Sequence, residues 1–69
     1  MGEFATASGD ESVSIGEDSD ATSQGATALG SGAQATGLAS VAIGGDRDPS
    51  GGTDAAIASG QFAVAVGTS

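Results

Sequence analysis

The chain has 69 residues, with 13 glycines, two phenylalanines, and neither cysteine nor histidine. Nine acidic residues against the single Arg47 give a formal net charge of −8, which argues against nucleic acid or an anionic membrane as a partner. The composition also excludes disulfides and thiolate metal sites, and it supplies too few large apolar side chains for a stable small monomer.

The first four residues, Met1–Phe4, precede the patterned part of the sequence. We interpret them as a start codon followed by residues that a cloning site encodes, because Glu-Phe is the translation of a common restriction site. The prediction of the fold therefore covers residues 5–69.

A five-residue pattern occurs four times from residue 12 onward: small, β-branched, small, aliphatic, glycine. The closing glycines fall at steps of 14, 14 and 23 residues, so the last step equals one repeat plus an insertion of nine residues. The aliphatic and glycine residues that we predict to be structural are Val13, Ile15, Gly16, Leu29, Gly30, Val41, Ile43, Gly44, Val64, Val66 and Gly67.

Each run alternates and is rich in β-branched or small residues, which predicts strands. A glycine or serine seven residues before each closing glycine indicates a second turn, so each repeat contains two short strands. Equal coils stacked about 4.8 Å apart pair each strand with its counterpart, parallel and in register. The sequence therefore predicts an all-β fold, a narrow β-solenoid of 14-residue coils.

The alternation also divides each strand into two faces. We predict that Val41 and Ile43 point into the coil and meet the smaller Ala33 and Ala35 of the partner strand. Large aliphatic side chains would then fill the interior.

Two other faces follow from the same assignment. Gln34 and Thr36 are expected to face outward, and Ser40, Ala42 and Gly44 form a small, mostly apolar face suited to the close approach of another chain. Because such a thin coil cannot shield its own interior, the pattern predicts self-association. The periodicity leaves the number of chains open.

The insertion at about 45–53 is the most individual stretch of the sequence. Pro49 and the glycines predict an expanded surface turn, which by itself needs no function. The same stretch holds the only Arg, so Asp46, Arg47 and Asp48 are also the candidate residues for contact with a ligand.

The acidic segments 17–20 and 46–48 raise the question of calcium binding. Neither matches an EF-hand loop or the glycine-aspartate nonapeptide of calcium-binding β-rolls, so we interpret them as solvated turn carboxylates and predict no metal and no cofactor. Four hydroxyl residues at equivalent positions predict a hydrogen-bonding row on an outer strand: Ser8, Thr22, Thr36 and Ser59. Without Cys, His, Lys or Tyr, an enzyme is not expected.

The runs Ser40–Gly44 and Ala33–Gly37 resemble the head repeats of YadA-like trimeric autotransporter adhesins. The resemblance covers residues 5–69, although Glu11 and Ala39 stand where the family often has Asn and residues 26–27 replace Ser-Val. It implies a single-stranded, left-handed parallel β-roll, a homotrimer, and display on a bacterial cell surface through an outer-membrane anchor outside this segment.

The resemblance implies an adhesin head fragment that attaches through several copies to host extracellular matrix or cell-surface molecules, collagen-like or similar. A different class remains open, a passive rigid spacer of a surface fibre with no ligand of its own. A third alternative, a disordered Gly/Ser/Ala linker, predicts no β signal by circular dichroism.

Overall fold

The computed structural model describes residues 3–45 and 55–67, which contain eight short strands. Their bounds are β1 Thr6–Ala7, β2 Val13–Ile15, β3 Asp20–Ala21, β4 Thr27–Leu29, β5 Gln34–Ala35, β6 Val41–Ile43, β7 Ile57–Ala58 and β8 Val64–Val66. Across these two ranges the chain forms no helix of the length and apolar character needed to cross a membrane.

The strands form two four-stranded sheets, one of the odd-numbered and one of the even-numbered strands. All pairs are parallel, with Val13 opposite Thr27, Thr27 opposite Val41, and Val41 opposite Val64 beyond the insertion. The chain therefore alternates between the sheets, and we name its successive windings coil 1 (residues 3–16), coil 2 (17–30), coil 3 (31–44) and coil 4 (55–67). The predicted all-β, parallel architecture is confirmed.

Tight turns connect the two sheets. In coil 1 the Ser12 amide donates to the Gly9 carbonyl (3.2 Å), and the third residue of this turn, Glu11, has a φ of 60°. Gly25 holds the same position in coil 2, with a φ of 71°. Positive φ at the third residue alone is typical of a type II turn. Because so few residues connect the sheets, the space between them is narrow.

Alanine and serine fill that space. Each coil directs four side chains inward, and in coils 2 and 3 all eight are fully buried: Ser19, Ala21, Ala26, Ala28, Ala33, Ala35, Ser40 and Ala42. Backbone hydrogen bonds and methyl-sized side chains together hold the roll, without any large aliphatic residue in its centre.

The prediction that Val41 and Ile43 point inward is wrong. Ala42 between them is 0% exposed, whereas Ile43 is exposed and Val41 is half-buried. Ser40 is also fully buried, so the small row expected to meet another chain lies inside the roll. The physical reason is space, since the short turns leave room between the sheets for methyl and hydroxymethyl groups but not for opposing aliphatic side chains.

The sheet of odd-numbered strands agrees with its prediction. Ala33 and Ala35 are fully buried, while Thr36 is exposed and Gln34 is half-buried.

Close stacking of coils also explains why a glycine occupies the last position of the repeat. Gly30 has a φ of 121°, a conformation that L side chains rarely adopt. A Cβ there would lie 2.8 Å from the carbonyl oxygen of Gly44 in the next coil. Glycine is therefore required at this position both for the backbone angle and for contact between coils.

Candidate functional site: an exposed aliphatic face

The even-numbered strands direct their larger side chains away from the interior. We call this surface the aliphatic face, and its residues are Val13, Ile15, Thr27, Leu29, Val41, Ile43, Val64 and Val66. Exposure reaches 69% at Val64 and 73% at Val66 in coil 4. Seven of the eight residues are aliphatic, so a continuous apolar surface runs along one side of the roll.

Strand pairing keeps this surface continuous. In-register parallel pairing aligns Val13, Thr27, Val41 and Val64 in one row and Ile15 with its counterparts in a second row. Neighbouring strands lie about 4.8 Å apart, so adjacent side chains within a row are in van der Waals reach. Scattered exposed apolar residues are ordinary, but a contiguous patch of them marks an interaction surface.

The sheet of odd-numbered strands, which we call the polar sheet, has a polar outer surface. Its outward residues are Thr6, Ser8, Asp20, Thr22, Gln34, Thr36, Ile57 and Ser59. The four residues of the predicted hydroxyl row, one from each coil, are all exposed, and the backbone carbonyl of Thr36 accepts a hydrogen bond from Ser23 Oγ (2.6 Å). Ile57 is an exception, since its aliphatic side chain follows Gln34 in an otherwise polar row. The roll therefore has one apolar and one polar side.

Charge is confined to one end of the described residues. The carboxylates are Glu3, Asp10, Glu11, Glu17, Asp18 and Asp20, whereas residues 21–45 and 55–67 contain no charged side chain. Within these ranges no three acidic side chains lie close enough together to hold a metal ion. None of the eight residues that form the aliphatic face is charged.

The predicted ligand-contact residues Asp46, Arg47 and Asp48 lie outside the described residues. Sequence reasoning identified the aliphatic residues as structural but assigned them to the interior, and so it missed the aliphatic face as a surface. A usable signal was present, because the row Ser14, Ala28, Ala42 and Ala65 contains only serine and alanine.

The coils have an interior of small residues, stack in parallel and are apolar on one side. These features define a solenoid repeat protein, in which each repeat packs against the neighbouring repeats. A family model of the YadA head domain repeat matches residues 1–19, 21–46 and 54–69, in two copies. The match covers more than half of the chain, which therefore belongs to the YadA head domain family, an adhesive and non-enzymatic family. No curated protein and no solved structure matches the chain.

Proposed function

We propose that this chain is a head segment of a bacterial surface adhesin in which three copies pack their aliphatic faces around a common axis. The polar sheet then faces outward, and it presents, together with Asp46, Arg47 and Asp48 of the insertion, repeated contacts to host extracellular matrix or cell-surface molecules. The segment is displayed on the cell surface through an outer-membrane anchor supplied by other regions of the protein.

The aliphatic face is the observation that carries this proposal. An interior of alanine and serine gains little from burial, since each buried methyl or methylene group contributes about 0.8 kcal/mol. Full burial of a Val, Leu or Ile side chain contributes about 1.5–3 kcal/mol. The larger part of the available hydrophobic stabilisation is therefore realised only when another surface covers this face.

Copies of the same chain are suitable partners for that surface. The aliphatic face has uniform rows, no charged residue among its eight members, and the same spacing in every copy. YadA-like heads generally form trimers. Three copies enclose their apolar faces in a closed assembly, which leaves none of these faces exposed to water.

A charge on the aliphatic face tests the assembly. Ile43→Lys places an ammonium group where three copies meet, and an uncompensated buried charge costs about 3–5 kcal/mol. Thr22→Lys changes the net charge equally but lies on the polar sheet, where its residue is exposed. In sedimentation velocity we expect Thr22→Lys to remain trimeric and Ile43→Lys to lose the trimer.

The expected mass of the unsubstituted protein is 18.9 kDa, three chains of 6.3 kDa each. A trimer that Ile43→Lys leaves intact would place the interface elsewhere. Loss of the trimer in both variants would mean that added charge, rather than its position, disrupts assembly.

Attachment to a host molecule needs its own test, for which we use saturable binding to a panel of immobilised matrix proteins. Neutralising the insertion by Asp46→Asn, Arg47→Gln and Asp48→Asn changes the net charge by one unit, and Asp10→Asn is the matched control. We expect the triple variant to bind more weakly and the control to bind normally. Equal binding by both would exclude the insertion as the contact.

The spacer alternative has one observation in its favour. The polar sheet presents mostly small side chains and, within the described residues, neither Trp, Tyr nor Arg, the residue types that dominate binding hot spots. A spacer predicts a stable trimer that binds no member of the panel. The binding experiment therefore separates the two functions while the sedimentation experiment tests the assembly they share.

A further inference from the structure

One residue of the aliphatic face differs in chemistry from the other seven. Thr27, the first residue of β4, carries a hydroxyl group, whereas the rest of this face consists of Val, Ile and Leu. Thr27 pairs with Val13 on one side and with Val41 on the other, and Val64 follows Val41 in the same row. The row therefore holds one hydroxyl among three valines.

Thr27 has nearly the same shape as the valines beside it. Both residue types are β-branched, and Thr carries a hydroxyl group where Val carries a second methyl group. Val13 and Val41 occupy the equivalent strand position in the adjacent coils, so the fold accepts a valine there. What distinguishes coil 2 in this row is therefore the capacity to form hydrogen bonds.

The roll does not use that capacity within its described residues. No side-chain hydrogen bond in residues 3–45 and 55–67 includes Thr27 Oγ1. The residue is half-buried in the single roll, and a surface packed over the aliphatic face would remove more of its contact with water. A hydroxyl group buried without a hydrogen bond is unfavourable, so the covering surface has to supply a partner.

Closed threefold packing supplies partners of the same kind. When three copies pack their aliphatic faces at one level, symmetry brings the three Thr27 side chains into a single layer. A Thr hydroxyl donates one hydrogen bond and accepts others, so each copy can donate to the next and accept from the previous one. A ring of three bonds then leaves no hydroxyl unpaired.

The apolar residues of the face do not fix this level by themselves. Each coil presents the same two outward positions, and neighbouring coils lie about 4.8 Å apart. A copy shifted along the axis by one coil still opposes aliphatic residues to aliphatic residues in the coils that overlap, for example Ile15 to Leu29. A uniform apolar pattern therefore leaves alternative registers open.

Thr27 responds differently to the same shift. The hydroxyl of the shifted copy then faces Val13 or Val41 of its neighbours, and neither side chain forms hydrogen bonds. Leaving one buried hydroxyl unpaired reduces the population of that arrangement about tenfold. A single buried polar residue sets the register of coiled coils in the same way.

We propose that Thr27 sets the axial register of the assembled heads through a ring of three hydroxyl hydrogen bonds in an otherwise apolar interface. This role rests on the proposed function, because it requires three copies that cover one another's aliphatic faces. Thr27 contributes specificity of alignment rather than stability. A valine at this position gives an assembly that is at least as stable but no longer uniform.

Nuclear magnetic resonance tests the register, because closed threefold symmetry makes three copies equivalent only when all lie at one level. An aligned trimer gives one amide cross-peak per residue, whereas a trimer with a shifted copy gives up to three. The substitutions are Thr27→Val, which keeps the shape and removes the hydroxyl, and Thr27→Ser, which keeps the hydroxyl. Sedimentation velocity of each full chain measures whether the trimer of 18.9 kDa, three chains of 6.3 kDa, is present.

We expect one set of cross-peaks from the unsubstituted protein and from Thr27→Ser. Thr27→Val should give additional sets, with the shifted arrangements about tenfold more populated. Its melting temperature should not fall, because replacing every member of a buried hydrogen-bonded set by apolar groups is neutral or stabilising. Combining Thr27→Val with Val41→Thr moves the hydroxyl by one coil, and this double variant should regain a single set.

A single set of cross-peaks from trimeric Thr27→Val would overturn the role of Thr27 and leave the proposed trimer standing. Additional sets from the unsubstituted protein or from Thr27→Ser would also contradict it, as would a double variant that fails to regain one set. A folded species of 6.3 kDa from the unsubstituted protein would overturn the trimer itself, and the register with it.

Discussion

Within the same strands, neighbouring residues differ in the size of side chain that their position allows. In β2, β4, β6 and β8 the middle residue is Ser or Ala in every coil and faces inward, while both flanking residues are larger and lie on the aliphatic face. The inner row is limited by the distance between the two sheets, which the tight turns fix. The outer row meets no such limit, because no other part of residues 3–45 and 55–67 packs over it. Size rather than hydrophobicity therefore decides which side faces inward.

The largest expected effect comes from breaking this size limit. Ala42→Leu adds three carbon atoms at a position that is fully buried among other alanines. Overpacking a well-packed core costs about 1–3 kcal/mol and occasionally more, and we expect at least about 3 kcal/mol here because no neighbouring side chain can move aside. Urea denaturation followed by circular dichroism measures the change.

The matched control is Ile43→Leu, one residue further along β6 and on the aliphatic face. A volume-conserving change at an exposed position should alter the free energy of unfolding by less than about 1.5 kcal/mol. If Ala42→Leu were tolerated as well as Ile43→Leu, the interior would be wider than the alanine row indicates, and the contrast between the rows would fail.

A second prediction concerns two serines in the interior. Ser40 Oγ is buried without a hydrogen-bond partner among the described residues, whereas Ser19 Oγ donates to the Gly16 carbonyl (2.8 Å) and lies 2.6 Å from Ser14 Oγ. Ser40→Ala should therefore stabilise the protein by about 1 kcal/mol or more, because an unpaired buried hydroxyl costs about 1–3 kcal/mol. Ala26 and Ala63 already hold the same position in coils 2 and 4.

Ser19→Ala is the comparison for that substitution. It removes a bonded hydroxyl and deprives Ser14 of one partner, so we expect a loss of about 1 kcal/mol. Opposite signs in the two thermal melts support an interior that accepts hydroxyl groups only where they are paired. Destabilisation by both substitutions would show that Ser40 has a role in the assembled protein.

The smallest effect is expected in the turns, where neither row is involved. Gly25→Ala forces a β-carbon into a φ of 71°, although the nearest atom, Ala39 Cα, is 3.6 Å away. The cost should be about 1 kcal/mol from the backbone alone. Gly25→Asn should cost less, since Asn tolerates this conformation, and equal losses for both would point to crowding instead.

Much of this architecture is predictable from the sequence because the repeat is visible in it. The spacing of Gly16, Gly30 and Gly44 gives the parallel register, and alternation shows which residues share a face. Which face is inside cannot be derived from hydrophobicity, because the usual preference for burying Val and Ile assumes that the interior has room for them, and the tight turns leave too little. The invariably small row at Ala28 and Ala42 was the informative signal.

The candidate site was harder to predict for the same reason. The aliphatic face lies on the surface of the described chain, so a rule that equates aliphatic residues with the core of the roll misassigns it. For Asp46, Arg47 and Asp48, the predicted contact residues, one sequence supplies composition but no ligand, and their role stays a prediction.

The central claim is that a roll filled with alanine and serine is stable only when sister chains cover its aliphatic face. Thermal unfolding by circular dichroism over a dilution series tests this most directly, because the melting temperature of a protein that folds as it assembles depends on concentration. We predict a melting temperature that falls with dilution. A melting temperature that is constant at all concentrations, with a folded species of 6.3 kDa, would contradict the account.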